Sequence, residues 1–143
     1  MDVLKRLQAW LTTFPKWEEG KLMYLDFTDG VPGNQGLFPK GQEVLQRKED
    51  VLGNISLSCR YHFALYRVTA GQEDQQENAR WLMEFQDWVQ QQDAMGLAPK
   101  FGDAPKSERV RVSDGQLQSL SQTGSALYTV KLWTEFTKIY KGE

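Results

Sequence analysis

The stretch Ile55-Ser56-Leu57-Ser58-Cys59-Arg60-Tyr61-His62-Phe63-Ala64-Leu65-Tyr66-Arg67-Val68 decides the fold. Its odd positions run Ile, Leu, Cys, Tyr, Phe, Leu, and its even positions up to His62 are Ser, Ser, Arg and His. Side chains alternate faces along a strand, so this is one strand with an apolar and a wet face. At about 3.3 Å per residue it spans roughly 46 Å, wide for a small domain, so one end should bend or project. From Ala64 the second face also turns apolar (Ala64, Tyr66, Val68), which predicts cover on both sides or a waiting partner there. On this reading Ile55 to Phe63 buries against helices and the Ala64–Val68 end faces a neighbour.

Outward from this strand, Ala126 to Phe136 reads as a second long strand, with residues 137–143 as a tail. Glu43 to Asp50 reads as an antiparallel partner of the first, joined to it by a turn at Leu52-Gly53-Asn54. Arg109-Val110-Arg111-Val112 is a short alternating strand, followed by a turn at Ser113-Asp114-Gly115 and a polar hairpin up to Gly124. Lys21 to Thr28 supplies both faces with apolar residues and predicts an inner strand. Between them, Asp29 to Gly41 is rich in Gly and Pro and reads as a loop; no Gly-Lys-Ser/Thr follows, so it is not a phosphate loop.

Two helices complete the pattern. Residues 2–14 place Val3, Leu4, Leu7, Trp10, Leu11 and Phe14 at helical spacing, with Asp2 as N-cap and Pro15 as stop. Residues 75–95 place Trp81, Leu82, Phe85, Trp88 and Val89 on one stripe. Asp74 and Glu77 resemble a capping box, Gly96 is the C-cap and Pro99 prevents continuation. The order α-β-β-β-α-β-β predicts an α+β domain over 1–143: a single, mostly antiparallel sheet with both amphipathic helices packed on one face. They should lie on the face of Ile55, Leu57, Tyr61 and Phe63.

With 143 residues and 40% hydrophobic content, the chain fits one globular domain. A net charge of −2 implies no broad polyanion-binding surface. No apolar run approaches a membrane span, and the N-terminal residues lack a signal-peptide layout. Cys59 is the only cysteine, so no internal disulfide forms, and a reducing, cytoplasmic setting is the simplest fit.

No catalytic or cofactor constellation is legible. His62, the only histidine, sits on the polar face of the strand. Cys59, three positions away, points to the opposite face, so the two cannot share a metal. An enzyme comes third, behind an assembly protein and a binding module, and a pocket joining His62 to a carboxylate within hydrogen-bond reach would revive it. The acidic pairs Glu18-Glu19, Glu49-Asp50 and Glu73-Asp74 fall at element ends, where capping or solvation explains them. Arg109 and Arg111 with Lys100 and Lys106 form the one local basic cluster, either a solvated edge or a surface for an acidic partner.

Phe85-Gln86-Asp87-Trp88-Val89, Gln92, Gly96-Leu97-Ala98-Pro99, Lys106 before an alternating strand, and Ala126-Leu127-Tyr128-Thr129-Val130 entering a last strand form a familiar succession. Phe14-Pro15, Asp26-Phe27 and Val44-Leu45-Gln46-Arg47 fit the same layout. Over nearly its full length the chain resembles the small tail terminator proteins (tail-completion, or minor capsid) of long-tailed prophages. The shared features are aromatic and Gly/Pro punctuation rather than functional side chains. The resemblance implies a non-catalytic subunit without cofactors that forms a ring, a hexamer when assembled. Its partners would be further copies of itself, the tail-tube protein and the head-completion connector. It would act in the host cytoplasm during assembly and then at the head–tail junction of the virion, with no nucleic-acid specificity and no membrane. Candidate contacts are Tyr66, Val68, Arg109, Arg111, Asp114, Gln116 and Gln118. The alternative is a small non-catalytic binding module that recognises a peptide or small ligand through the 29–41 loop or the sheet face.

Overall fold

The computed structural model describes residues 3–17, 23–25, 35–70, 75–120 and 125–142. The chain is α+β. Helix α1 (Val3–Leu11) is followed by strands β1 (Met23–Leu25), β2 (Gln35–Glu49) and β3 (Ile55–Ala70). Helix α2 (Gln75–Ala94), a 3-10 turn (Pro105–Ser107), β4 (Arg109–Leu120) and β5 (Ser125–Tyr140) complete it. The sheet order is β1-β2-β3-β5-β4. Every pairing is antiparallel except β1 with β2, which is parallel.

The alternation that opened the reading becomes the central strand. β3 pairs with β2 on one side and, from Ile55↔Tyr140 to Ala70↔Ser125, with β5 on the other. Both helices pack on its odd-numbered face. Leu7, Trp10, Leu11 and Phe14 of the N-terminal segment meet Trp81, Leu82, Phe85 and Val89 of α2, over Phe63, Leu65, Val110, Val112, Val130 and Leu132. The aromatic rings lock the helices to each other. Trp10 stacks on Trp88 at 4.9 Å, and Phe14 stands edge-on to Trp81 and Phe85, each at 5.4 Å. The Trp10 indole N–H, which would be costly to leave unpaired, donates to Gln92 Oε1 at 3.0 Å. Helix α2 ends as expected: Gly96 takes φ +72°, Gly96 N–H donates to Asp93 O and Leu97 N–H to Gln92 O, a Schellman motif.

Several expectations change. Residues 35–41 of the predicted Gly/Pro loop form the start of β2, because Gly36 and Pro39 pair with Tyr66 and Phe63; residues 29–34 lie outside the described residues. Of the predicted inner strand Lys21–Thr28, only Met23–Leu25 is described; it stands last in the sheet order, with β2 its one partner among the described residues, and the rest lies outside them. Asp2 and Asp74 lie outside the described residues. The turn predicted at Ser113–Gly115 is absent: β4 runs through it, absorbing one extra residue as a register shift between Ser113 and Gln116. The supposed tail 137–140 is strand, held against Ile55 to Ser58 of β3.

The largest correction concerns β3 itself. The helices cover Phe63 and Leu65, whereas Ile55 and Leu57 lie past them and are half-exposed. Of the two alternatives at the Ala64–Val68 end, cover on both sides holds for Ala64 and Val68, which are 5% and 4% exposed, and the waiting partner does not. Residues 40–52 are all exposed. The domain therefore has a two-layer body and a bare three-stranded arm built from the far ends of β2, β3 and β5.

Candidate functional site

The tip of the arm is a tight turn organised by one carboxylate. Asp50 Oδ1 accepts from Leu52 N–H (2.9 Å) and Asn54 N–H (3.0 Å), and Oδ2 from the Asn54 amide (2.8 Å). The Asn54 side-chain bond, with the backbone N–H groups adding to it, holds the Asp50 carboxyl below the usual aspartate range. Gly53 supplies the positive φ (+83°) expected for such a turn. The Asn54 side-chain oxygen accepts from Gly142 N–H at 2.9 Å, tying the end of the arm together. What this rigid turn displays is apolar: Val51 is fully exposed and Leu52 is 75% exposed, with Val44, Leu45, Ile139 and Tyr140 exposed along the arm.

The outer edge of β2 from Phe38 onward has no strand partner among the described residues. Its sequence resists one. Pro39 lacks an N–H, register shifts fall at Pro39/Gly41 and Val44/Gln46, and Lys40, Arg47 and Lys48 charge it. The arm thus presents side chains rather than an open strand template.

A bracket holds the arm to the body. Glu108, 2% exposed, accepts from three backbone N–H groups: Phe101 (2.7 Å) and Gly102 (2.8 Å) on Oε1, and Ala104 (3.1 Å) on Oε2. The loop wrapped on that carboxylate runs beside β5 where β4 has not yet begun. Asp103 N–H donates to Thr137 O (2.7 Å), and Ile139 N–H donates to Asp103 Oδ2 (2.8 Å). Between α1, this loop and the arm root lies a mostly apolar hollow of about 280 Å³, whose lining includes Leu4, Tyr61, Phe101 and Phe136 together with Gln42, Thr134 and Lys138.

No helix among the described residues covers the opposite face of the sheet. Charges of alternating sign cross it from strand to strand. Glu43 on β2 meets His62 (2.9 Å) and Arg60 (3.5 Å) on β3, and Arg60 meets Glu135 on β5 (3.1 Å). Glu135 meets Arg111 on β4 (3.3 Å), and Arg111 reaches Asp93 of α2 (3.5 Å). The His62 hydrogen bond, with the charges of His62 and Arg60 adding to it, holds the Glu43 carboxyl below the usual glutamate range. Asp93 also accepts from Val110 N–H at 2.9 Å, covering an edge donor of β4. Beside this ladder lies a shallow dish of about 660 Å³ whose lining includes Lys40, Arg60, His62, Tyr66, Lys131 and Trp133.

The predicted contact residues scatter. Val68 is buried and Tyr66 is half-buried against Phe38 at 5.0 Å, so the pair does not form an exposed apolar end. Arg109 and Arg111 are committed locally, Arg109 to the carbonyl of Glu108 (2.9 Å) and Arg111 to the ladder. Asp114, Gln116 and Gln118 belong to β4, Gln116 pairing with Thr129, rather than to a separate hairpin. Cys59 is buried at 1%, with Gln42 Nε2 at 3.9 Å from its sulfur. Sequence reasoning missed Glu108 and the apolar tip. Val51-Leu52 beside the expected Gly53 turn was a usable signal, since a turn seldom needs two apolar residues; Glu108 had none.

Among the described residues no group of three His, Cys, Asp or Glu could hold a metal ion, and no helix is long and apolar enough to cross a membrane. No known family and no characterised protein matches this chain.

Proposed function

We propose that the chain is a structural assembly subunit of the tail-terminator type, one that caps a phage tail tube and faces the head connector. The observation that carries the reading is the projecting arm with Val51 and Leu52 in water at its tip. An isolated protein gains nothing from holding two apolar residues rigidly in solvent; a contact surface does. The apolar hollow at the arm root lies away from the tip. A tip seated in the hollow of the next copy makes a head-to-tail contact, the kind that closes into rings. The arm's protected edge fits such a subunit, since runaway strand pairing would give filaments. It would assemble in the host cytoplasm and remain in the virion at the tail–head junction.

The test is sedimentation velocity of the chain alone and with the tail-tube protein. A ring-sized species in either case, lost in a Val51→Asp/Leu52→Asp variant that melts like the parent, is expected. A monomer at high concentration in both conditions would sink the reading.

One observation favours a second reading. His62 lines the dish and lies 2.9 Å from the Glu43 carboxylate, although Glu43 is not part of the dish lining. Glu43 is shared with Arg60, however, and both partners are some two-fifths exposed or more (His62 41%, Glu43 49%), which suits a strut of the ladder better than a tuned base. Turnover of any ester or phosphoester that His62→Ala abolishes would revive catalysis. The binding-module alternative keeps the dish as its site, though its lining is mixed and open rather than deep and apolar.

A further inference from the structure

We infer that the cleft between the end of α2 and the start of β4 binds a phosphoryl dianion, carried by inorganic phosphate or by a phosphate monoester of a small molecule. The cleft is separate from the arm tip and the apolar hollow, so the inference does not rest on the ring proposal.

The first reason is unbalanced charge. The cleft measures about 400 Å³, and its lining sets Lys100, Lys106 and Arg109 against one carboxylate, Asp93. Asp93 is already spent: Oδ1 accepts from Val110 N–H and Oδ2 meets Arg111. Glu108 is spent as well, its carboxylate buried and taken by three backbone N–H groups. Counting Arg111 and Glu108 adds one charge of each sign, so two positive charges stay in excess. Among the described residues no carboxylate forms an ion pair with Lys100, Lys106 or Arg109.

The second reason is convergence. Lys100 Nζ (3.0 Å) and Arg109 Nη1 (2.9 Å) both donate to the Glu108 carbonyl oxygen. Sharing one acceptor, the two nitrogens stand no more than about 6 Å apart, where like charges repel. A neutral carbonyl aims them without cancelling either charge. An ammonium has three donors and a guanidinium five, so both keep donors to spare. An oxyanion set across them takes those donors and relieves the repulsion. Capping α2 does not explain the pair: Met95, Gly96 and Leu97 N–H already bond the carbonyls of Gln91, Asp93 and Gln92.

The third reason is fit. The Glu108 bracket fixes the loop that carries Lys100 and Lys106, so little ordering remains to be done on binding. Two excess charges match a phosphoryl dianion, whereas a single carboxylate would leave one unanswered. Met95 and Leu97, 61% and 57% exposed, flank Gly96 and offer apolar surface to the organic part of a monoester. The lining holds no aromatic ring on which a nucleic-acid base could stack.

The experiment is an NMR titration of the isotope-labelled full chain at low salt, with phenyl phosphate and, separately, inorganic phosphate. Saturable shifts are expected at the amides of Gly96 and Lys106 and at the Arg109 Nε–H. Tighter binding of phenyl phosphate assigns the site to a monoester; equal affinity assigns it to the free ion. Lys106→Glu and Arg109→Gln should each weaken binding at least tenfold, and Lys48→Gln, on the arm, should bind as the parent does. Thermal unfolding of each variant separates loss of binding from loss of fold; Lys106 is exposed, so its variant should melt like the parent. Binding should also weaken as pH falls from about 7.5 to about 5.5, because the second phosphate pKa is about 6. His62, the only histidine, lies outside this lining and does not supply that change. Four results would overturn the inference. These are no saturation up to tens of millimolar ligand, shifts that survive both Lys106→Glu and Arg109→Gln, acetate binding as tightly as phosphate, and oligothymidylate displacing phenyl phosphate at lower phosphate concentration.

Discussion

The two halves of β3 share one periodicity and meet opposite fates. In the body, Phe63 and Leu65 are 3% and 0% exposed beneath two helices; in the arm, Ile55 and Leu57 carry the same alternation half into water. Length explains the difference. The 16 residues of β3 extend roughly 50 Å, whereas the 20 residues of α2 extend about 30 Å. A helix that follows the Ala70 end of the strand and folds back along it runs out before the other end. Alternation therefore assigns faces, and helix reach assigns cover.

Substitutions can break this comparison. The largest effect is expected in the body. Phe85→Ala empties a fully buried site among Phe14, Trp81 and Trp88 and should cost about 3–5 kcal/mol in denaturant unfolding. A near-neutral result would mean that α2 is not docked there. Next comes the bracket. Glu108→Ala strands three N–H donors and should cost roughly 2–3 kcal/mol, with faster amide exchange at Phe101 and Gly102. Exchange rates that do not change would remove the bracket from the account.

Smaller effects belong to the arm. Val51→Ser with Leu52→Ser should shift unfolding by no more than about 0.5 kcal/mol, because those side chains bury nothing in the subunit. A clear destabilisation would show that the tip supports its own fold. The smallest effect is electrostatic. Carboxyls whose folded pKa lies below the unfolded value support the fold above about pH 4, and that support is lost as pH falls through the folded value. Asp50 and Glu43 are both of this kind. In an NMR titration the amides of Leu52 and Asn54 should respond below the ordinary aspartate range. A response at about pH 3.9 would contradict the hydrogen-bonded turn.

Much of the fold was legible because its signals are local. Helical stripes, the Gly96 stop, the Gly53 turn and the long alternating strands follow from backbone sterics and from side-chain periods of 3.6 and 2. The bulged strands were harder. A register shift between Ser113 and Gln116 lets a turn-like Ser-Asp-Gly continue as strand, and Gly36 and Pro39 read as loop until β3 supplies hydrogen-bond partners. The candidate surfaces were less legible still. Lys131 and Trp133 meet Ala64 and His62 only through the register of two strands far apart in the chain.

By itself the sequence determined the elements, their order, the faces of β3 and the seclusion of Cys59 from His62, because each depends on residues within a few positions of one another. Only the tertiary structure decided which end of β3 is buried, that Glu108 gathers a loop, and that Glu43, Arg60, Glu135, Arg111 and Asp93 form one ladder. Those outcomes depend on pairing register and helix reach, and they set distances between residues that no local pattern relates.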